Sequence, residues 1–191
     1  SNHWHSANNP VPNKLSIGNN AFFHLTAMVK DRNPKSYLIA VSPPYFSDLL
    51  DLTFRLSQIY SSAKLIFKLH PLQGIHDFDT AVSFFTNSPN VEVVLNGRST
   101  AVIMGEVCNL VAIQSTVVYE ALQVGLKVFL YARQDYDSHD DIFENRNVFI
   151  IEDEMGVLEN SQCGASNTDG CVFFKEFDKK MFGDFLSGSI G

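Results

Sequence analysis

Short apolar runs alternate along the middle of the chain with longer stretches in which apolar residues recur at helical spacing. Lys35–Val41, Lys64–Leu69, Val91–Leu95, Leu110–Ile113, Lys127–Tyr131 and Val148–Ile151 read as strands. Between them, Phe46–Ser62 reads as a helix, with Phe46, Leu49, Leu50, Thr53, Leu56 and Tyr60 on one wide apolar stripe. Asp77–Thr86 reads the same way through Phe78, Ala81, Val82 and Phe85, and Ser99–Val107 as a short helix. After a break at Gln114-Ser115-Thr116, Val117, Val118, Ala121 and Leu122 share a helical stripe that Gly125 ends. Such alternation implies βαβ units with right-handed crossovers. The expected fold is α/β: a Rossmann-like, doubly wound parallel sheet of about six strands with helices on both faces.

The ends of the chain are less regular. Residues 1–34 read as an N-terminal tail or linker with a short apolar element at Ala21–Met28, and 35–154 as the Rossmann-like domain. Residues 155–191 read as a loop and helix packing on that domain. Within them 164–170 is a loop, and Cys171–Phe185 holds one more apolar helix or strand-plus-helix. Asp135–Asn147 is a polar, acidic loop or broken helix.

Composition narrows the function classes. Of 191 residues 45% are hydrophobic, sixteen are Phe and only 18% are charged, as in a compact globule. The net charge of −7 comes with no basic stripe, which argues against duplex nucleic acid as a partner. No apolar run approaches the roughly 20 residues needed to cross a bilayer, and no signal peptide is visible, so a cytoplasmic location is expected. Cys108, Cys163 and Cys171 do not form a CxxC pattern. Cys108 reads as a small core residue; Cys163 and Cys171 flank a loop across which they could pair, but a cytosolic location favours free thiols.

In an open parallel sheet, ligands bind outside the carboxyl ends of the strands. Several polar junctions should share that edge: Ser42-Pro43, His70-Pro71, Asn96-Gly97, Gln114-Ser115-Thr116 and Arg133–Asp141. A strand that feeds a helix through Ser115-Thr116 brings hydroxyls and helix N–H groups to a place where an anion is well held. The alternative reading is that Ser115 or Thr116 simply caps the helix, although no capping box follows. Glu120, one turn on, shares a face with Thr116 and Gln123 and is placed to accept hydrogen bonds from sugar hydroxyls. His70, fixed by Pro71, suits donation to a phosphate or proton transfer, and is also a common type of strand-end residue. Lys68 reads as a snorkelling flank. His76 and the run Asp135–Asp141 lack calcium-loop spacing, so no metal is expected. GxGxxG, GxxxxGK[ST] and a nucleophile elbow are all absent from the sequence.

Leu-Ile-Phe-Lys-Leu-His-Pro, followed by Leu-Val-Ala-Ile-Gln-Ser-Thr-Val-Val-Tyr-Glu-Ala-Leu-Gln-Val-Gly, resembles the C-terminal, donor-binding half of GT-B glycosyltransferases. It looks closest to bacterial capsule and surface-polymer transferases of the polysialyltransferase-like and glycerophosphotransferase-like groups. The resemblance runs from Tyr37 to Ile151. It implies that His70, Pro71, Gln114, Ser115 and Thr116 meet the phosphates or nucleotide of a CMP-, CDP- or UDP-linked donor, and that Glu120 faces the ribose or sugar. Ser42, Pro43 and Asn96 are candidates for rim contacts. It implies no covalently bound cofactor, an acceptor glycan or polymer held by a further N-terminal domain, and peripheral placement at the inner membrane face. His70 is the one candidate for a catalytic role; no base is assigned. A non-catalytic α/β interaction domain and a nucleotide-sugar epimerase-like domain are the alternatives.

Overall fold

The computed structural model describes residues 32–132, 142 and 145–161. The expectations for Ala21–Met28, Cys163, Cys171, the acidic run Asp135–Asp141 and the C-terminal loop and helix lie outside the described residues.

Among the described residues six strands form one sheet: β1 (Asn33–Ala40), β2 (Lys64–Lys68), β3 (Val91–Val94), β4 (Val107–Ala112), β5 (Lys127–Tyr131) and β6 (Val148–Ile151). Every pairing is parallel, and the order is β3-β2-β1-β4-β5-β6. The expected doubly wound α/β fold is therefore the observed one. The helices are α1 (Phe46–Ile59), α2 (Ile75–Phe84), α3 (Thr100–Glu106), α4 (Val117–Gln123) and α5 (Glu154–Ser161). A 3-10 turn at Pro43–Tyr45 leads into α1.

Alternation along the strands divides the apolar side chains into two cores. Tyr37, Ile39, Leu65, Phe67, Val111 and Phe129 pack with Leu49, Leu52 and Leu56 of α1, Ala81 of α2 and Val157 of α5. Leu38, Ile66, Leu110 and Val128 pack on the opposite face with Ile103 and Met104 of α3 and Val118, Ala121 and Leu122 of α4. The strand order reverses between β1 and β4, because α3 carries the chain back across the sheet to the other side of β1.

Element boundaries shift by a few residues where side chains intervene. β1 begins at Asn33, two residues before the apolar run, and so takes in Pro34. A central strand tolerates this proline because the β1–β4 register slips between Asn33 and Tyr37. Asn109 repairs the gap: its buried side-chain amide donates to the carbonyls of Pro34 (2.8 Å) and Ser36 (3.0 Å). The Ser36 hydroxyl accepts from Cys108 N–H at 3.2 Å. Consequently β4 starts at Val107, directly after α3, rather than at Leu110. α1 stops at Ile59 instead of Ser62, and α2 starts at Ile75, after an extended Gly74, instead of Asp77.

Gly125 does end α4. It has φ +75°, its N–H donates to Leu122 O (3.0 Å), and Leu126 N–H donates to Ala121 O (2.9 Å). These two bonds satisfy the last carbonyls of the helix in a Schellman arrangement, which favours glycine at the left-handed position.

α5 is an element the hydrophobic pattern did not reveal. Val157 is its one buried side chain, so no stripe marks it. Polar contacts place it instead: Asp153 Oδ1 accepts from Gly156 N–H at 3.0 Å, and Arg55 Nε of α1 donates to Glu154 Oε2 at 2.7 Å.

Candidate functional site

The register aligns the candidate residues. Ala40 lies opposite Lys68, and Lys68 opposite Val94. Ile39 lies opposite Val111. Two residues beyond the row of Ala40, Lys68 and Val94 come Ser42, His70 and Asn96, and the β4 counterpart is Gln114. These four therefore leave the sheet at one level on adjacent strands. His70 and the Gln114–Thr116 corner have β1 between them, about 10 Å apart at two strand spacings. The reversal in strand order lies between Ser42 and Gln114, and the Ser42 hydroxyl donates to the Gln114 carbonyl, tying the two loops together. The side chains of this edge face solvent: Pro43, Pro71, Leu72, Asn96, Gln114 and Thr116 are exposed.

Each corner has its own geometry. After β2, the chain turns through His70-Pro71-Leu72-Gln73, closed by Gln73 N–H donating to His70 O at 2.9 Å. Gln73 is buried, and its Oε1 accepts from His70 N–H at 2.9 Å. Leu72 N–H donates to His70 Nδ1 at 3.1 Å. Gln73 escaped the sequence reading. Its signal was the spacing His-Pro-x-Gln, which lets a side chain three residues on reach back to the strand end.

After β4, Ser115 Oγ accepts from Val117 N–H at 3.3 Å. Val118 N–H donates to Ser115 O and Tyr119 N–H to Thr116 O, both at 3.2 Å. The first amides of α4 are thus already paired, and at seven residues the helix carries only a short dipole. Ser115 acts as a local cap. Thr116 makes no side-chain capping bond and is exposed.

Glu120 is half-buried on α4, and burial pushes its carboxyl up to about 7. A raised carboxyl favours folding in its protonated form. The favourable contribution is complete below the ordinary glutamate range and is lost as pH rises through about 7. Glu120→Gln should therefore gain about 1–2 kcal/mol on wild type between pH 5 and pH 8, after allowing for solvent screening. Urea titrations of both proteins at the two pH values measure this; equal gaps at both would count against it.

Lys68 does not snorkel. It is buried on the α3/α4 side of the sheet, and its Nζ donates to the Leu95 carbonyl at 2.5 Å. Desolvation lowers its pKa. It braces the end of β3, because the parallel register brings Lys68 beside Val94.

An open groove of about 360 Å³ lies at the β3 edge, walled by Ile75, Phe78, Val93 and Leu95 with Asn96 and Arg98 at its rim. It is not over the switch point, and Asn96 is the one rim candidate it includes. Arg98 there bridges Glu92 (2.5 Å) and Glu106 (2.6 Å). His76 is exposed on α2, and the described residues hold no group of three potential metal ligands. Cys108 is a free thiol, half-buried rather than a core residue, and burial raises its pKa. Among the described residues no helix is long and apolar enough to cross a membrane.

No protein-family model and no curated protein matches the sequence significantly. Solved structures do match it. One is UDP-GlcNAc 2-epimerase from Methanocaldococcus jannaschii in complex with UDP-GlcNAc and UDP, at 10% identity and TM-score 0.52, covering 90% of this chain and 48% of that one. A second UDP-N-acetylglucosamine 2-epimerase matches at 16% identity and TM-score 0.52, over 76% of this chain and 41% of its own. A Listeria monocytogenes protein provisionally assigned as the same enzyme matches at 12% identity and TM-score 0.55, over 76% and 43%. This chain spans less than half the length of each. What it shares with them is a Rossmann-like α/β fold.

Proposed function

We propose that this chain is the donor-nucleotide-binding domain of a transferase, one that moves a sugar or polyol phosphate from a nucleotide-activated donor during surface polysaccharide or glycan synthesis. The observation that carries the reading is the alignment of His70, Ser42 and Gln114–Thr116 at one level around the switch point of a sheet with a GT-B-type fold. In open α/β sheets ligands bind at that place. The solved UDP-GlcNAc 2-epimerase from Methanocaldococcus jannaschii is in complex with UDP-GlcNAc and UDP, which supports the ligand class.

At the rim, a CMP-, CDP- or UDP-linked donor would place its phosphate between His70 and Thr116. Side-chain groups would carry the contact, because the α4 amides of Val117, Val118 and Tyr119 are already paired. Ionised Glu120 would accept from the sugar hydroxyls of the nucleotide. In transfer, the bond between the donated group and the nucleotide phosphate breaks, and its electron pair stays on the phosphate oxygen. The acceptor hydroxyl forms the new bond, and its proton passes to a base on another part of the protein. This half would contribute positioning and stabilisation of the leaving phosphate. The acceptor, a glycan or polymer, would bind a further domain, at the cytoplasmic face of the inner membrane.

A thermal-shift panel of CMP, CDP, UDP and UDP-GlcNAc tests the proposal. A ligand at 100 times its Kd stabilises the native state by about 2.7 kcal/mol. At least one nucleotide should raise Tm, and His70→Ala and Thr116→Val should each remove most of the rise. No response to any nucleotide at millimolar concentration would favour the non-catalytic interaction domain. The fold shared with the epimerases keeps a second reading. Incubating the full-length protein with UDP-GlcNAc separates the two: a C2-epimerised nucleotide sugar as product indicates epimerisation, and a glycosylated acceptor indicates transfer.

A further inference from the structure

We infer that Gln73 is a positioning residue that holds His70 in one neutral tautomer, with its Nε2–H directed to the rim as a hydrogen-bond donor. For its ligand, the donor's phosphate oxygen, the inference rests on the nucleotide reading above; for its geometry it does not.

Three hydrogen bonds within four residues carry it. A backbone N–H can only donate, so the bond from Leu72 N–H at 3.1 Å makes His70 Nδ1 an acceptor. The proton of the neutral ring then sits on Nε2. Pro71 has no N–H, so Leu72 offers the first one after the histidine, and Pro71 pre-sets the turn that swings it under the ring. Gln73 holds the turn from both sides. Its N–H closes the turn on His70 O, and its side-chain oxygen accepts from His70 N–H, each at 2.9 Å. Gln73 is buried beneath an edge where Pro71 and Leu72 are exposed, so its side chain acts from inside the domain.

This has a chemical consequence. In a neutral imidazole with Nδ1 already bonded, no lone pair remains for a proton from substrate. His70 is then a donor to an anionic oxygen, and the general base of any transfer lies elsewhere. This narrows the catalytic role for which His70 was a candidate. Gln73 acts through His70 and touches no ligand itself.

The test reads the ring nitrogens of the full-length protein by ¹⁵N NMR after labelling its histidines, with the His70 signals identified by their loss in His70→Gln. Wild type is expected to show Nδ1 unprotonated and Nε2 protonated. A protonated Nδ1, or averaged signals from both tautomers, overturns the proposal. Gln73→Met, which removes the acceptor for His70 N–H, is expected to give averaged tautomers. Gln73→Asn, whose amide falls one methylene short, should do the same and covers the case in which Gln73→Met fails to fold. Gln73→Glu keeps an acceptor oxygen and should retain the wild-type signals. Wild-type signals in either of the first two variants overturn the role of Gln73. CMP, CDP and UDP titrations form a separate arm: Gln73→Met should weaken whichever nucleotide binds by about five- to tenfold. If no nucleotide binds wild type, the functional reading fails, while the tautomer result still decides the role of Gln73.

Discussion

Truncating Phe67 to alanine is expected to lower the folding stability by about 3–5 kcal/mol, the largest single effect predicted for this domain. Phe67 is fully buried on β2, with its ring 6.1 Å from Phe46 of α1 and 5.3 Å from Phe85 just past α2. It therefore joins β2 to two of the helices on that face, three residues before His70. Its removal leaves a cavity that neighbours held by two helices cannot close, so the loss includes a cavity term as well as the transfer term. Phe67→Leu, which refills most of the volume, should cost under about 1.5 kcal/mol. Urea denaturation monitored by circular dichroism measures both. A loss below about 1.5 kcal/mol for the alanine variant would mean that α1 and α2 collapse onto β2, and that His70 is less firmly held than the packing indicates.

Asn109→Leu is expected to cost about 2–4 kcal/mol, although leucine is the more hydrophobic residue. The position is buried in β4, opposite Tyr37 of β1. A hydrophobic pattern would accept leucine there. The backbone does not, because the Asn109 amide donates to the carbonyls of Pro34 and Ser36 where the β1–β4 register slips. Leucine would remove both bonds, at about 1–3 kcal/mol each, less what its own burial returns. The effect should reach the candidate site, since β1 and β4 are the strands that flank the switch point. Denaturant titration gives the stability. Nucleotide affinity at low temperature, where the variant stays folded, reports whether the Ser42–Gln114 staple survives. A neutral or stabilising Asn109→Leu would show that the slip relaxes without its side-chain bridge.

Much of the fold was legible along the chain. Parallel strands are covered on both faces, so β1, β2, β4 and β5 appear as near-continuous apolar runs that need no partner to be recognised. Gly125 was legible as a stop because its role is local: a left-handed residue after the last turn. The rim residues were legible as strand-end punctuation, since Ser42-Pro43, His70-Pro71 and Asn96-Gly97 each break an apolar run. Lys68 misled, because a lysine near a strand end suggests solvent. A carbonyl from the neighbouring strand made its burial tolerable, and no local pattern reports that. α5 was missed for the same reason, since Arg55 of α1 holds it, whereas the signal of Gln73 was local, in the spacing His-Pro-x-Gln, and breaks no apolar run.

The sequence by itself determined the six strands, the helices α1 to α4 and where the chain turns between them, because those depend on period and on residues close in the chain. Only the tertiary structure decided the order β3-β2-β1-β4-β5-β6, and with it the placing of Ser42 between His70 and Gln114. Strand neighbours are chosen by helices packing across the whole sheet. Six apolar runs of similar composition carry no mark of which lies beside which, and a register that sets four polar residues level exists only once the strands are paired.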